Sequence, residues 1–256
     1  MDLIERPSPN FNERKAPPDM VVLHYTGMVS VQAALERMCD PQAQVSAHYC
    51  VDEDGNIYRL VPEERRAWHA GVSFWKGATG LNDVSIGIEI VNPGHEFGYR
   101  DFPDEQIRSV ISLLDSVRDR WDIPDHRIVG HSDIAPARKT DPGERFPWRV
   151  LAEHGHGLWP GSFVDRIEPE REAAMGPPLG IGDTGPGVFA LQGALGRVGY
   201  DILPGGPYDV ETATIVTAFQ RHWVSHLIGT DTQGRADAQT RIRLMALLRH
   251  ITLLEA

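Results

Sequence analysis

The stretch VSIGIEIV, from Val84 to Val91, decides how the fold of this chain is interpreted. Its even-numbered residues are all aliphatic, whereas the odd-numbered positions include Ser85, Gly87 and Glu89. An alternation with a period of two is typical of a β-strand that turns one face to an apolar core. The pattern therefore predicts a strand in which Glu89 points away from the aliphatic side.

Further strands and a long helix surround this segment in the sequence. Met20–Tyr25 is short, apolar and preceded by a proline pair, which predicts a buried strand that places His24 near its end. Apolar residues recur at helical spacing between Asp104 and Trp121, and Arg127–Gly130 returns to a strand pattern. Strands interleaved with helices predict an α/β fold with a central sheet flanked by helices.

A hairpin signal makes the predicted sheet mixed. Ser46–Val51 and Asn56–Val61 both have strand patterns, and the turn-forming pair Asp54-Gly55 lies between them. Ser30 is a candidate cap for a helix that runs to about Met38. We expect an antiparallel pair of strands beside the parallel ones.

The composition changes towards the carboxyl end of the chain. The segment 166–178 is rich in Glu, Arg, Ala, Gly and Pro, which predicts a linker and divides the chain into domains 1–175 and 176–256. Three helical patterns follow, over Gly187–Val198, Asp209–Leu227 and Ala236–Leu248. The second domain is predicted to be a small three-helix unit.

Charge and cysteine content exclude several classes of function. The 256 residues carry a formal net charge of −11 without a basic run, so a nucleic-acid partner is not expected. The two cysteines, Cys39 and Cys50, are too few for a disulfide framework. No segment has the length of a membrane span or an export signal, which predicts a cytoplasmic protein, or a periplasmic one if a signal has been removed.

The stretch GHSDIAPARKTDPG, from Gly130 to Gly143, gathers ionisable residues in a proline-rich segment that we expect to be an irregular loop. His131 follows a predicted strand, and Asp141 lies ten residues later. Together with His24 they would give a zinc ion two imidazoles and one carboxylate, which leaves a fourth position open as in catalytic zinc sites. Asp133 is a competing ligand, but we expect it to bond the local backbone.

Hydrolysis of an amide by such a site needs two more groups. A carboxylate must move a proton from water to the leaving amine, and a cation should stabilise the oxyanion. Glu89 and Lys139 are the candidates. Since the chain has 11 histidines, chance pairings are expected, and His48 with Cys50 on one predicted strand leaves a thiol hydrolase as an alternative.

Five ordered motifs carry a family resemblance over residues 10 to 155. They are the strand that ends at His24, SAHY (46–49), AWHAG (67–71), SIGIE (85–89) and the GHSDIAPARKTDPG segment. In this order they resemble the zinc-dependent N-acetylmuramoyl-L-alanine amidases of type 2, which are related to the peptidoglycan-recognition proteins. The resemblance implies cleavage of the amide between the lactyl group of N-acetylmuramic acid and L-alanine of the stem peptide.

By that resemblance His24, His131 and Asp141 bind Zn²⁺, Glu89 is the general base, and Lys139 stabilises the oxyanion. Some members have a cysteine where this chain has Asp141 and a tyrosine where it has Ala47. Those differences resemble the glutamate-dependent branch that acts in bacterial cell-wall recycling. We therefore expect muropeptides as partners, in the 1,6-anhydro form. His69 is predicted to face the substrate, with a packing role as the alternative.

Two other functions stay open from the sequence. One is a peptidoglycan-recognition protein without catalysis, and the other is an exported amidase that acts on intact peptidoglycan. From Leu179 onward the chain resembles a three-helix peptidoglycan-binding module, through VFALQ (188–192), Gly199-Tyr200 and AFQ (218–220). These are mostly core and turn positions, so they indicate the fold of the module more than its binding. The oligomeric state is not predicted.

Overall fold

The computed structural model describes residues 2–161 and 168–254, and these form two compact units. The described parts of Met1–Ser73, Thr79–His131 and Asp141–Gly157 make the first unit. The second consists of the described parts of Phe74–Ala78, Ser132–Thr140 and Leu158–Ala256. The second unit thus includes segments that the division at residue 175 assigns to the first domain.

A six-stranded mixed sheet forms the centre of the first unit, in the order β1-β5-β4-β9-β3-β10. Its strands are β1 (Leu3–Glu5), β3 (Met20–Tyr25), β4 (Tyr49–Val51), β5 (Ile57–Arg59), β9 (Ser85–Ile90) and β10 (Ile128–Gly130). Four short strands form two separate pairs, β2 (Phe11–Glu13) with β6 (Arg65–Ala67) and β7 (Phe74–Trp75) with β8 (Ala78–Thr79). The mixed sheet confirms the predicted fold class, since only β4 and β5 run antiparallel within it among the described strands.

The VSIGIEIV stretch provides β9, which lies between β4 and β3 and is parallel to both. Its even-numbered isoleucines are fully buried. The hairpin at Asp54-Gly55 is present, although its strands are shorter than the sequence pattern predicts. The register aligns Glu89 with His24 on β3, so both side chains project from the same face of the sheet.

Helices pack on the first unit as the periodicity predicts. The first, α1 (Val31–Cys39), begins after Ser30, whose hydroxyl accepts a hydrogen bond from the backbone N–H of Ala33. The other helices of this unit are α2 (Gly94–Phe97), α3 (Asp104–Arg120) and α5 (Trp148–Glu153). On α3 the Gln106 amide donates to the carbonyls of Val51 and Val91, which fixes the helix against β4 and the end of β9.

The second unit is mainly helical. Its helices are α4 (His131–Ile134, of which His131 belongs to the first unit), α6 (Pro169–Ala174), α7 (Pro186–Val198), α8 (Val210–Trp223) and α9 (Ala238–Leu254). The last three confirm the predicted three-helix pattern. Helix α6 lies inside the predicted linker, so that part is not the irregular segment expected; positions 166 and 167 fall outside the described residues. None of the helices in the described ranges is both long enough and apolar enough to span a membrane.

Candidate metal centre

Two neighbouring parallel strands bring His24 and His131 together. Gly130 on β10 aligns with Leu23 on β3, and the next residue along each chain segment is one of the two histidines. His131 begins the single-turn helix α4, whereas the sequence pattern predicts an irregular loop over this whole stretch. The carboxyl ends of parallel strands meet at one edge of a sheet, which explains why residues 107 positions apart are neighbours.

Three ligand atoms converge at this edge. His24 Nδ1 lies 2.9 Å from His131 Nδ1, and each of these nitrogens lies 3.0 Å from Asp141 Oδ2. All three residues are buried, with 1%, 3% and 6% of their surface exposed. The structure thus brings together the three predicted ligands, as a group that could hold a metal ion.

The outer nitrogen of each ring has its own partner. His24 Nε2 lies 3.0 Å from His69 Nδ1, and His131 Nε2 donates to the carbonyl oxygen of Ala70 at 3.1 Å. Both rings therefore turn Nδ1 towards Asp141. Ligand histidines in metal sites usually donate their second N–H in this way, which orients the ring.

The chemistry of the three atoms fits a cation. A carboxylate beside two imidazole nitrogens offers three lone pairs at separations near 3 Å. Such lone pairs repel one another unless a proton or a metal ion lies among them, and two imidazoles plus a carboxylate are a ligand set that zinc accepts.

Glu89 and Lys139 occupy different positions in the fold. Glu89 is half-buried on β9 and shares a sheet face with His24, one strand away. Lys139 is half-buried, and its backbone N–H donates to the carbonyl of Ala135 at 3.0 Å. Lys139 precedes Asp141 by two residues in the sequence. The catalytic roles of both residues stay predictions.

His69, for which a substrate contact was predicted and a packing role left open, has partners inside the protein. It is buried, its Nδ1 contacts His24, and its Nε2 lies 3.3 Å from the hydroxyl of Ser85. Both ring nitrogens are therefore engaged inside the protein. Burial, followed by the neighbouring His24, lowers the pKa of His69 well below its usual value, so the ring is neutral.

The residues that hold His69 in place were not predicted from the sequence. The Asn82 side-chain oxygen accepts the backbone N–H groups of His69 and Ala70, at 3.1 Å and 2.8 Å. Ser85 and Gly87 lie in the quoted strand, but a strand pattern says nothing about a ring that packs on it from elsewhere. The Trp-His-Ala-Gly motif was the signal that could have directed attention to this segment.

Asp133, for which a bond to the local backbone was predicted, also has partners far along the chain. Its carboxylate accepts the hydroxyl of Tyr200 at 2.9 Å and pairs with His222 Nδ1 at 2.8 Å, all within the second unit. All three residues are buried. The sequence pattern did not predict these distant partners, and the bond of Asp133 to the local backbone stays a prediction.

The thiol alternative has no support in the structure. Cys50 is fully buried in a hydrophobic cluster with residues of α1, and burial followed by the nearby Glu89 raises the pKa of its thiol well above the usual value. His48 instead accepts the backbone N–H of Gly87 and lies 3.0 Å from the carbonyl of Arg65. A reactive cysteine needs a thiol that is both accessible and ionised, and the thiol of Cys50 is neither.

Comparisons with known proteins identify the family of this chain. Residues 14–144 match the family described as N-acetylmuramoyl-L-alanine amidase. The chain is 37% identical over 241 residues to the N-acetylmuramoyl-L-alanine amidase AmiD of Escherichia coli, covering 90% of this chain and 82% of that protein.

Solved structures give the same result. The complex of E. coli AmiD with the substrate anhydro-N-acetylmuramic acid-L-Ala-D-γ-Glu-L-Lys superposes with a TM-score of 0.75 at 34% identity, covering 94% of this chain and 98% of that one. AmpDh3 of Pseudomonas aeruginosa, in complex with anhydromuramic pentapeptide, gives a TM-score of 0.77 at 33% identity, covering 92% and 93%. The chain therefore belongs to the N-acetylmuramoyl-L-alanine amidase family of enzymes, which hydrolyse an amide in peptidoglycan turnover.

Proposed function

We propose that this chain is a zinc-dependent amidase that releases the stem peptide from 1,6-anhydro-N-acetylmuramic acid. The observation that carries the proposal is the convergence of His24 Nδ1, His131 Nδ1 and Asp141 Oδ2 within 3.0 Å of one another. The substrate form is supported by two similar proteins whose solved complexes contain anhydromuramyl peptides.

His24, His131 and Asp141 would hold the zinc ion. When bound, zinc supplies Lewis acidity and lowers the pKa of water from 15.7 to about 7. Three protein ligands would leave room for water or substrate, as catalytic zinc sites require. The outer partners of the two rings keep both Nδ1 atoms directed at the cluster.

Glu89 moves the proton in the proposed reaction. Its carboxylate takes a proton from the attacking water, and the water oxygen forms a bond to the lactyl carbonyl carbon. The same carboxyl group then gives that proton to the alanine nitrogen as the C–N bond breaks. The products are a lactyl carboxylic acid, which then releases its proton to water, and a peptide with a free amine. The alignment of Glu89 with His24 on adjacent strands supports this role.

Lys139 is assigned to the oxyanion that forms at the lactyl oxygen. A fixed cation at a developing negative charge lowers the barrier because it needs no reorganisation during the reaction. The position of Lys139 two residues before Asp141 in the chain supports the assignment.

The direct test uses the full chain with zinc and the muramyl tripeptide anhydro-N-acetylmuramic acid-L-Ala-D-γ-Glu-L-Lys. We expect mass spectrometry to detect free tripeptide, and a chelator to stop its release until zinc is added back. Intact substrate in the presence of stoichiometric zinc would contradict the proposal and favour the alternative of recognition without hydrolysis.

A second comparison tests the substrate form and the recycling role. We expect faster cleavage of a soluble anhydro-muropeptide than of the same muropeptide with a free reducing end or of intact sacculi. Faster cleavage of sacculi would favour the alternative of an exported amidase. The cytoplasmic location stays a prediction, and fractionation of cells that express the full-length protein tests it.

A further inference from the structure

A chain of hydrogen bonds leads away from the candidate metal centre. His24 Nε2 lies 3.0 Å from His69 Nδ1, and His69 Nε2 lies 3.3 Å from the hydroxyl oxygen of Ser85. The Ser85 hydroxyl lies 2.6 Å from the carbonyl oxygen of Leu81. Each step joins a group that can donate to one that can accept.

The far end of the chain fixes the direction of every proton. A carbonyl oxygen only accepts, so the Ser85 hydroxyl donates to Leu81, and its oxygen is left to accept from His69 Nε2–H. A neutral imidazole protonated at Nε2 has its lone pair on Nδ1. His69 Nδ1 therefore accepts a proton from His24 Nε2, which leaves the lone pair of His24 on Nδ1, at the cluster.

The neighbouring residue performs the same task for the second ligand. The Ala70 carbonyl accepts from His131 Nε2–H, so the lone pair of His131 is also on Nδ1. Asn82 holds both backbone N–H groups of this dipeptide through one oxygen. One short segment thus sets the tautomers of both histidine ligands.

Gly87 makes room for the His69 ring. A Cβ atom at position 87 would lie 2.4 Å from His69 Cγ, closer than real side-chain contacts allow. Only 6% of the surface of His69 is exposed, so water competes poorly for its ring nitrogens. The glycine in the quoted strand is therefore the surface on which the positioning ring lies.

We propose that His69 is a positioning residue, which fixes the Nε2–H tautomer of His24 and aims its Nδ1 lone pair at the metal. The Ser85 oxygen accepts the Nε2 proton of His69 and so fixes its tautomer, and Gly87 leaves space for the ring. The inference rests on the zinc site of the proposed function and adds a role for a residue outside the ligand set.

Zinc affinity of the full chain, measured by competition with a chelator, tests the role of His69. We expect His69→Phe to weaken zinc binding by about 10- to 100-fold, as loss of an outer hydrogen-bond partner typically does. His69→Asn should restore most of the affinity, because its Oδ1 can accept where Nδ1 accepted. His156→Phe is the matched control: His156 is a buried histidine that pairs with Asp115 and Arg118, and its replacement should leave zinc affinity unchanged.

Histidine ¹⁵N NMR of the zinc-free wild type provides a readout that a merely structural role would not move, because zinc itself would keep the proton of His24 on Nε2. We expect His69 to carry its proton on Nε2 with a bare Nδ1, and His24 to carry its proton on Nε2. A proton on His69 Nδ1, or wild-type zinc affinity in a folded His69→Phe variant, would overturn the inference.

If His69→Phe does not fold, Ser85→Ala decides the matter together with the wild-type spectrum. Without the Ser85 oxygen, His69 should lose its single tautomer in the zinc-free protein, and zinc affinity should fall by less than in the phenylalanine variant. An unchanged His69 tautomer in Ser85→Ala would count against the proposed chain of hydrogen bonds from Ser85 through His69 to His24. A zinc-loaded protein that releases no peptide would contradict the proposed amidase reaction but leave this inference intact, because neither measurement depends on turnover.

Discussion

Two buried groups of histidine and aspartate lie in different units of this protein, and they differ in where their protons are. At the candidate metal centre, His24, His131 and Asp141 direct lone pairs at one another. In the second unit, each oxygen of Asp133 has a partner, the Tyr200 hydroxyl for Oδ1 and His222 Nδ1 for Oδ2. The first group offers a ligand set to a cation, whereas the carboxylate of the second group is paired with groups of the protein itself.

The difference shows that residue type and burial do not identify a metal site by themselves. Outer partners decide which ring nitrogen faces the carboxylate with a lone pair and which faces it with a proton. At the metal centre, His69 and Ala70 take the protons of both ligand rings away from Asp141. In the second group, the hydroxyl of Tyr200 donates directly to the carboxylate.

The largest expected effect appears when the aspartate of each group is replaced by asparagine and the two variants are compared. Asp141→Asn should weaken zinc binding by more than the 10- to 100-fold (roughly) that outer partners contribute, and abolish peptide release, because a metal ligand is lost. Asp133→Asn should keep zinc binding. Chelator competition measures both, and equal loss of zinc in the two variants would break the comparison.

Glu89→Gln should separate holding the metal from using it. We expect kcat to fall by about 10²- to 10⁴-fold, the usual contribution of a general acid–base group, while zinc stoichiometry is unchanged. Steady-state kinetics on the muramyl tripeptide and metal analysis of the same sample provide the check. Retention of wild-type kcat would remove Glu89 from the mechanism.

Lys139→Met is expected to lower kcat by about 10²- to 10³-fold, as loss of one oxyanion-stabilising group does. Zinc binding should not change, because Lys139 is not a ligand. Lys139→Arg keeps the cation and should recover part of the rate. If the methionine variant raised KM and left kcat unchanged, the lysine would contribute to substrate binding instead.

Tyr200→Phe tests the completeness of the second group through stability. Removing a hydrogen bond to a buried carboxylate should cost about 1.5–3 kcal/mol, because the acceptor loses one of its partners. Tyr208→Phe is the matched control in the same unit, since its hydroxyl donates to the neutral carbonyl of Gly234, and it should cost about 0.5–1.5 kcal/mol.

Thermal unfolding of both tyrosine variants, followed with and without zinc, gives the order of their effects. Zinc affinity should match the wild type in each. A larger loss of stability in Tyr208→Phe would contradict the view that the Asp133 carboxylate depends on its donors.

The sequence predicted the frame of the site better than its surroundings. The ends of β3 and β10 were visible in short apolar runs, and parallel strands bring their carboxyl ends together, so His24 and His131 could be paired in advance. The single turn of α4 could not be predicted, because the stretch contains two prolines and four residues are too few for a periodic signal.

The partners of His69 and Asp133 escaped prediction for a different reason. Their contacts join residues 45, 67 and 89 positions apart, and no local pattern encodes such distances. The need for glycine at position 87 is evident only from the structure, in which the ring of His69 lies against it. Propensity and periodicity describe elements, whereas proton positions depend on the packing between them.

The smallest expected effect belongs to Cys50, which shares a register position with Glu89 and lies outside both groups. Cys50→Ala should leave kcat unchanged and lower stability by about 1 kcal/mol, because it removes one small buried group. A chelator should abolish activity in this variant as in the wild type.

Kinetic measurements with and without a chelator distinguish a thiol hydrolase that uses Cys50 from a zinc amidase. A thiol hydrolase would lose its activity with Cys50 and ignore the chelator, whereas a zinc amidase shows the reverse. The burial of the thiol, and its raised pKa, leave it protonated at neutral pH and therefore a poor nucleophile. On this face of the sheet, chemical reactivity therefore depends on the metal ligands at the sheet edge, whose lone pairs converge, and not on the thiol of Cys50.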